Sequence, residues 1–137
     1  MCVYLYTVKV GDCIIDSSQD VRNIGAIFDS HLKMEKQVLS TCKSAWFRLY
    51  QIGKIRPYLS TDETKSIVHA YVTSKIDQNN SLLVGCPDNL ISKIQKVQNA
   101  SAKLIYKAKK FDHVTHLLKE LHWLPISLRI SFKVLLL

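Results

Sequence analysis

Acidic residues are scarce in this chain: 11 Asp and Glu stand against 19 Lys and Arg over 137 residues, a formal net charge of +8. That balance favours a polyanionic partner, nucleic acid before an anionic membrane surface. Glycine is scarcer still, at four residues. Gly53-Lys54 lacks the glycine that a phosphate loop needs five residues earlier, because Arg48 stands there. Neither a Gly-x-Gly-x-x-Gly fingerprint nor a Gly-x-Ser-x-Gly elbow occurs. The cysteines Cys2, Cys13, Cys42 and Cys86 are widely spaced with no Cys-x-x-Cys pair. They read as reduced thiols, and zinc, which needs clustered ligands, is not expected. No apolar run approaches the roughly 20 residues of a membrane span. Met1 to Tyr6 has no positive stretch before its apolar residues, so a signal peptide is not expected either. These absences point to an intracellular protein, nuclear or cytoplasmic, with no membrane partner.

What is present is ordinary globular material. Apolar residues make up 47% and charged residues 22%, which excludes disorder and collagen-like repeats. The length suits one domain with a core of its own. Residues 3–29 read as strands. Val8-Lys9-Val10 and Cys13-Ile14-Ile15 flank Gly11-Asp12, a hairpin signal because glycine supplies the positive φ of a primed turn. Val21 to Asp29 reads as a third strand, with Gly25 marking a bulge or a close backbone approach. From His31, expected near the helix start, the period turns helical through Leu32, Val38, Leu39, Cys42, Ala45, Trp46 and Leu49. Gly53 is the expected stop, and Pro57 hinders continuation. Ser60-Thr61-Asp62-Glu63 is a capping box opening a helix that carries Ile67, Val68, Tyr71, Val72 and Ile76.

A long helix is expected from Asp88 to Lys109 with an apolar face of Leu90, Ile94, Val97, Leu104 and Ala108. Asp112 is expected to cap a short helix through Leu121. Trp123-Leu124-Pro125 ends it, and Ile126 to Leu137 looks helical again. The expectation is α+β: a small antiparallel hairpin or sheet over residues 1–30, then a mostly helical bundle over 31–137. Closing on Leu135-Leu136-Leu137 without a cap, the bundle reads as truncated at its C-terminus.

The distribution of charge is more telling than its total. Between Asp88 and Asp112 there is no acid, yet Lys93, Lys96, Lys103, Lys107, Lys109 and Lys110 lie in that window. On a helix, Lys93, Lys96, Lys103, Lys107 and Lys110 fall within roughly a quarter-turn of one another, away from the apolar residues. A second acid-free window, Lys36 to Ser60, holds Lys43, Arg48, Lys54 and Arg56. A solvated helix face normally mixes signs, so these nine cations are candidate phosphate contacts. Lysines suit backbone tracking and give little base specificity. Trp46, Tyr50 and Tyr58 interleave with the second set. They read as core residues, not stacking platforms, because Trp46 lies on the apolar side of the helical pattern.

The histidines carry less. His113, His116, His122 and Asp112 form a drawable metal site, but the glutamate and four-residue spacing of the zinc-protease pattern are missing. Trp123 reads as a core anchor and His69 as a satisfied core histidine.

Several segments, taken in order, resemble one family. Val21-Arg22-Asn23-Ile24-Gly25-Ala26-Ile27-Phe28-Asp29-Ser30 resembles the segment just after the catalytic palm in non-LTR, LINE-type (Jockey-like) retrotransposon reverse transcriptases. Ile55-Arg56-Pro57-Tyr58-Leu59 resembles that family's Arg-Pro-aromatic turn, and Val68 to Asp77 resembles its next helix. Val97-Gln98-Asn99-Ala100, Phe111-Asp112-His113-Val114 and Leu121-His122-Trp123-Leu124-Pro125 are similar to its later blocks. The resemblance runs from about residue 8 to the end. It implies that the first 30 residues are the end of a palm and the rest a thumb with connecting helices. In the family the thumb holds the template–primer duplex by its backbone.

The family's polymerase centre uses an aromatic-Ala-Asp-Asp motif and an upstream Asp to hold two Mg²⁺ ions. This chain has no Asp-Asp pair, and its nearest equivalent, Asp62-Glu63, opens a helix. Gln78-Asn79-Asn80 stand where the family shows Tyr-Cys-Asn, Cys86 replaces an apolar residue before Pro87, and His116 replaces a proline. The resemblance therefore implies a non-catalytic piece of an RNA-directed DNA polymerase, without a cofactor of its own. Its partners would be an RNA–DNA or DNA duplex and the missing fingers and palm. The alternative is a decayed or co-opted remnant acting as a small protein-interaction or structural domain.

Overall fold

The computed structural model describes residues 7–23, 25–29, 33–78 and 80–136. The readings of Met1 to Tyr6 as strand and of His31 as a helix start lie outside them. Among the described residues no helix is long and apolar enough to cross a membrane.

The architecture is α+β, with two small antiparallel sheets leading into a helical bundle. Strand β1 (Thr7–Val10) pairs with β2 (Cys13–Asp16), Val10 opposite Cys13, across the expected Gly11-Asp12 turn. Gly11 has φ +61°, the left-handed region that glycine enters without a Cβ penalty. Every residue of this hairpin is exposed. An isolated two-stranded ribbon with no buried face has little apolar gain to hold it.

The third strand expected over 21–29 is instead a second hairpin. β3 (Asp20–Asn23) pairs with β4 (Ala26–Asp29), Asn23 opposite Ala26. Gly25 sits in its turn at φ +77°, and a Cβ there would lie 2.7 Å from Gln78 Nε2. The close approach expected at Gly25 is real; the strand turns there where a bulge was the alternative. β4 docks on the bundle: Ala26 is buried, Phe28 packs on the core, and the Ile27 N–H donates to Gln37 Oε1 at 2.9 Å.

Helix α1 (Glu35–Ile55) buries Val38, Cys42, Ala45, Leu49 and Ile52, one stripe at three- and four-residue spacing. It runs through Gly53, so that glycine is not its stop. It gives way at a 3-10 turn, Arg56–Tyr58, whose Pro57 has no N–H to donate. Helix α2 (Thr61–Val68) has both halves of its capping box. The Glu63 N–H donates to Ser60 Oγ at 3.2 Å, and the Ser60 N–H donates to Glu63 Oε2 at 2.8 Å. The hydrogen bonds from Ser60, backbone first, hold the Glu63 carboxyl below its usual range. α2 continues through a π-helical turn, His69–Thr73, into α3 (Ser74–Asp77).

Helix α4 (Asp88–Tyr106) is shorter than expected. Lys107 takes φ +52°, and the Ala108 N–H closes on the Lys103 carbonyl at 2.9 Å, the return bond of a left-handed helix stop. Its buried stripe is Leu90, Ile94, Val97, Ala102 and Ile105; Leu104 and Ala108 are only partly buried. Asp112 does not cap α5 (Thr115–Glu120). Its Oδ2 accepts from the Lys109 N–H at 2.7 Å, closing the turn behind α4. Helix α6 (Ile126–Leu135) follows Pro125.

The core is one cluster shared by these helices, with Val38, Ala45, Val68, Val72, Val97, Ala102 and Ile105 fully buried. Burying each larger aliphatic contributes about 1.5–3 kcal/mol, so the bundle holds most of the folding drive. Two glutamines join α4 to α6. Gln98 Nε2 donates to the Leu124 carbonyl at 2.9 Å, and Gln95 Oε1 accepts the Ile126 N–H at 2.9 Å. That N–H is one of the four at a helix start with no partner in the helix itself. Arg129 on α6 donates from Nη1 to both carboxylate oxygens of Asp77 on α3, at 2.7 and 2.6 Å.

Candidate nucleic-acid interface

The nine nominated cations do not share one fate. Arg56 is 5% exposed, and its guanidinium is spent on three backbone carbonyls. Removed from the surface in this way, it is not a phosphate contact. Lys93 is half-buried beside Cys42, whose thiol is pushed up by burial and drawn partly back by the Lys93 charge. Lys96 is exposed. Lys103 Nζ donates to the Lys110 carbonyl, folding the chain after α4 against that helix. Lys107 and Lys110 lie beyond the last helical residue, so the quarter-turn projection covers only Lys93, Lys96 and Lys103. Lys110 Nζ lies 5.6 Å from the Phe111 ring centre, over its face.

The outer face of α1 is built differently from the expectation. Trp46 is 45% exposed, Phe47 58%, Tyr50 65% and, past the helix end, Tyr58 87%. The sequence reading put Trp46, Tyr50 and Tyr58 in the core. It failed because the buried stripe centres on Val38, Ala45 and Leu49 and is complete without them. About 100° per residue then places Leu39, Lys43, Trp46, Phe47, Tyr50 and Lys54 together on one arc that runs from the flank of the buried stripe to its far side. Lys54 Nζ stands 4.6 Å from the Tyr50 ring centre. Lys36, at the near end of this arc, is paired with Asp20.

Arg48 leaves α1 on another side. Its guanidinium carbon is 6.0 Å from the Phe47 ring and 5.9 Å from the Tyr71 ring, and Nη1 donates to Gln51 Oε1 at 3.3 Å. It opens onto a cleft of about 330 Å³ with Ser44, Tyr71, Ser74, Lys75 and Gln78. The cleft lies at the π-helical turn, whose widened backbone presents Tyr71 to solvent. Its lining holds two cations and no carboxylate. Lys75 was not singled out in the sequence; only the fold brings it to Arg48. Nothing in local spacing signals that pair, which is separated by the whole 3-10 turn and α2.

Among the described residues two ion pairs form, Lys36–Asp20 and Arg129–Asp77. Lys43, Arg48, Lys54, Lys93, Lys96, Lys103, Lys107 and Lys110 therefore have no carboxylate partner there. The histidines do not assemble: His69, His113, His116 and His122 are all exposed, so the core reading of His69 is wrong. Among the described residues no group of three or more His, Cys, Asp or Glu converges on a common point. The two-magnesium centre implied for a parent polymerase does not fit the residues present. Asp62 and Glu63 occupy the first turn of α2, and Glu63 is turned back onto the Ser60 N–H.

No family model, no curated protein and no solved structure matches the chain.

Proposed function

We propose that this chain is a non-catalytic, thumb-like piece of a LINE-type reverse transcriptase that holds a template–primer duplex through its phosphates. The observation that carries this reading is a set of eight cations on α1, α4 and the turn after α4, six of them exposed and Lys93 and Lys103 half-buried, that have no carboxylate partner among the described residues. Unpaired surface cations repel one another, and a polyanion offsets that repulsion by releasing its counterions. Lys43 and Lys54 on the outer arc of α1, Lys96 on α4, and the Arg48–Lys75 cleft act as phosphate contacts.

The motif order supports the family assignment, and the fold gives those motifs physical roles. Arg56 joins the 3-10 turn to α4, Gln98 ties α4 to the loop before α6, and Asp77 ties α3 to α6. They are residues that hold a bundle together.

Fluorescence anisotropy with a labelled duplex over a series of salt concentrations tests the proposal. Log K should fall by about 0.9 for each phosphate neutralised on B-form DNA. A flat salt dependence, or no binding at low salt, would sink it.

A second reading, a protein-interaction module, is favoured by the exposed Leu128, Phe132, Leu135 and Leu136 along α6. Concentration-dependent association in sedimentation, abolished by Phe132→Ser and indifferent to nucleic acid, would favour it.

A further inference from the structure

We infer that the outer arc of α1 is a stacking platform for unpaired bases, so that the chain binds single-stranded nucleic acid there by ring contact as well as by charge. The inference rests on the proposed nucleic-acid function and goes beyond it, because backbone holding requires no aromatic surface.

Four aromatic side chains are exposed along one helix and the turn that follows it, where a monomeric soluble surface rarely groups rings. Trp46 and Tyr50 are one helical turn apart and so stand side by side on the same arc. Phe47 flanks them, and Tyr58 extends the row past Ile55. The core does not need them, since the buried stripe of α1 is complete without any ring.

Charge selects the occupant. Lys43 and Lys54 lie at the two ends of the Trp46–Tyr50 pair, and neither has a carboxylate partner among the described residues. The Lys54 ammonium already covers one face of Tyr50 at 4.6 Å, which leaves the ring edge and opposite face for a base. Rings between unpaired cations match a strand whose bases and phosphates alternate. Stacking tolerates any sequence because every base has a flat face, while cations track the backbone. A protein partner of the same shape would need a complementary acidic rim.

The test compares oligothymidylate with an abasic oligonucleotide of equal length and charge, by anisotropy on the intact chain. Oligothymidylate should bind about tenfold tighter or better, as loss of one or two stacked bases implies. Trp46→Ala with Tyr50→Ala should remove that advantage while leaving abasic and duplex affinity unchanged. Trp46→Phe with Tyr50→Phe should retain most of it, which separates stacking from any loss of folding in the alanine variant. In a Trp123→Phe background, Trp46 is the sole tryptophan, and its emission should be quenched by oligothymidylate but not by the abasic strand. Equal affinity for the two strands overturns the platform but leaves the phosphate-holding proposal standing. No salt-dependent binding to any nucleic acid overturns both. Self-association lost in the alanine variant, with unchanged strand discrimination, would assign the arc to a second copy of the chain and overturn the platform.

Discussion

Arg56 closes the C-terminal end of α4 from 49 residues away, donating from Nη2 to the Ile105 carbonyl at 2.8 Å and from Nε to the Leu104 carbonyl at 3.0 Å. The last carbonyls of a helix have no partner within it and carry the negative end of its dipole, so a buried guanidinium satisfies both needs. Its third bond, 2.7 Å to the Leu59 carbonyl, fastens the segment before α2 to the same point. One side chain thereby joins the ends of α1 and α4 to the start of α2.

Arg56→Ala should therefore act on stability, not on binding. Three charge-assisted bonds are lost and buried carbonyls are left unpaired, a cost of about 3 kcal/mol or more. Arg56→Lys should recover little, because an ammonium cannot reproduce the planar fork. Urea denaturation midpoints check the stability loss. Duplex affinity measured on the folded fraction should match that of the parent chain.

Lys75 and Arg48 should act as a pair of phosphate contacts. Arg48→Gln with Lys75→Gln should lower the slope of log K against log salt by about two, one for each cation removed. The loss should be alike for all duplex sequences, since point charges carry no base information. An unchanged slope would remove the cleft from the interface.

Gly25→Ala should destabilise the docking of the β3–β4 hairpin. An alanine at φ +77° is strained, at about 1 kcal/mol, and its Cβ would meet the amide of Gln78. Because that neighbour is the end of a flexible side chain, Gln78→Ala should relieve the clash and leave the backbone strain. A double-mutant cycle by thermal denaturation separates the two, with a favourable coupling expected between the substitutions.

The cysteines should differ in reactivity and set an alkaline limit on stability. Burial raises the thiols of Cys42 and Cys86 above the ordinary cysteine range, whereas Cys13 is exposed. Of the three cysteines among the described residues, Cys13 should be alkylated first at neutral pH, Cys86 next and Cys42 last. A thiol with a raised folded-state pKa keeps its proton after the unfolded chain has lost it. Its contribution is complete below pH about 9 and is lost as pH rises toward the folded value. Cys42→Ser and Cys86→Ser should flatten that alkaline decline in stability, read by denaturant titrations across the pH range.

The sequence alone was enough for several features that depend on near neighbours, though not for the Asp20–Asp29 hairpin or the partner of Asp112. The Gly11-Asp12 hairpin, the Ser60–Glu63 capping box and the helical stripes of Val38, Cys42 and Ala45 and of Leu90, Ile94 and Val97 rest on spacings of two, three or four residues. So did the scarcity of acids beside the lysines, which is a property of order along the chain. Tertiary structure decided what depends on which surface is already covered. Arg56 and Lys54 are two residues apart in one acid-free window, yet one lies under α4 and the other faces solvent. Trp46 reads as core because it falls on the apolar side of the helical pattern, and it is exposed because Val38, Ala45 and Leu49 already fill the contact with the bundle. Lys107 ended α4 early through a left-handed turn whose bond to Lys103 no periodicity announces. Periodicity reports which faces of a helix differ. Only packing decides which of those faces another helix occupies, because burial depends on partners that arrive from elsewhere in the chain.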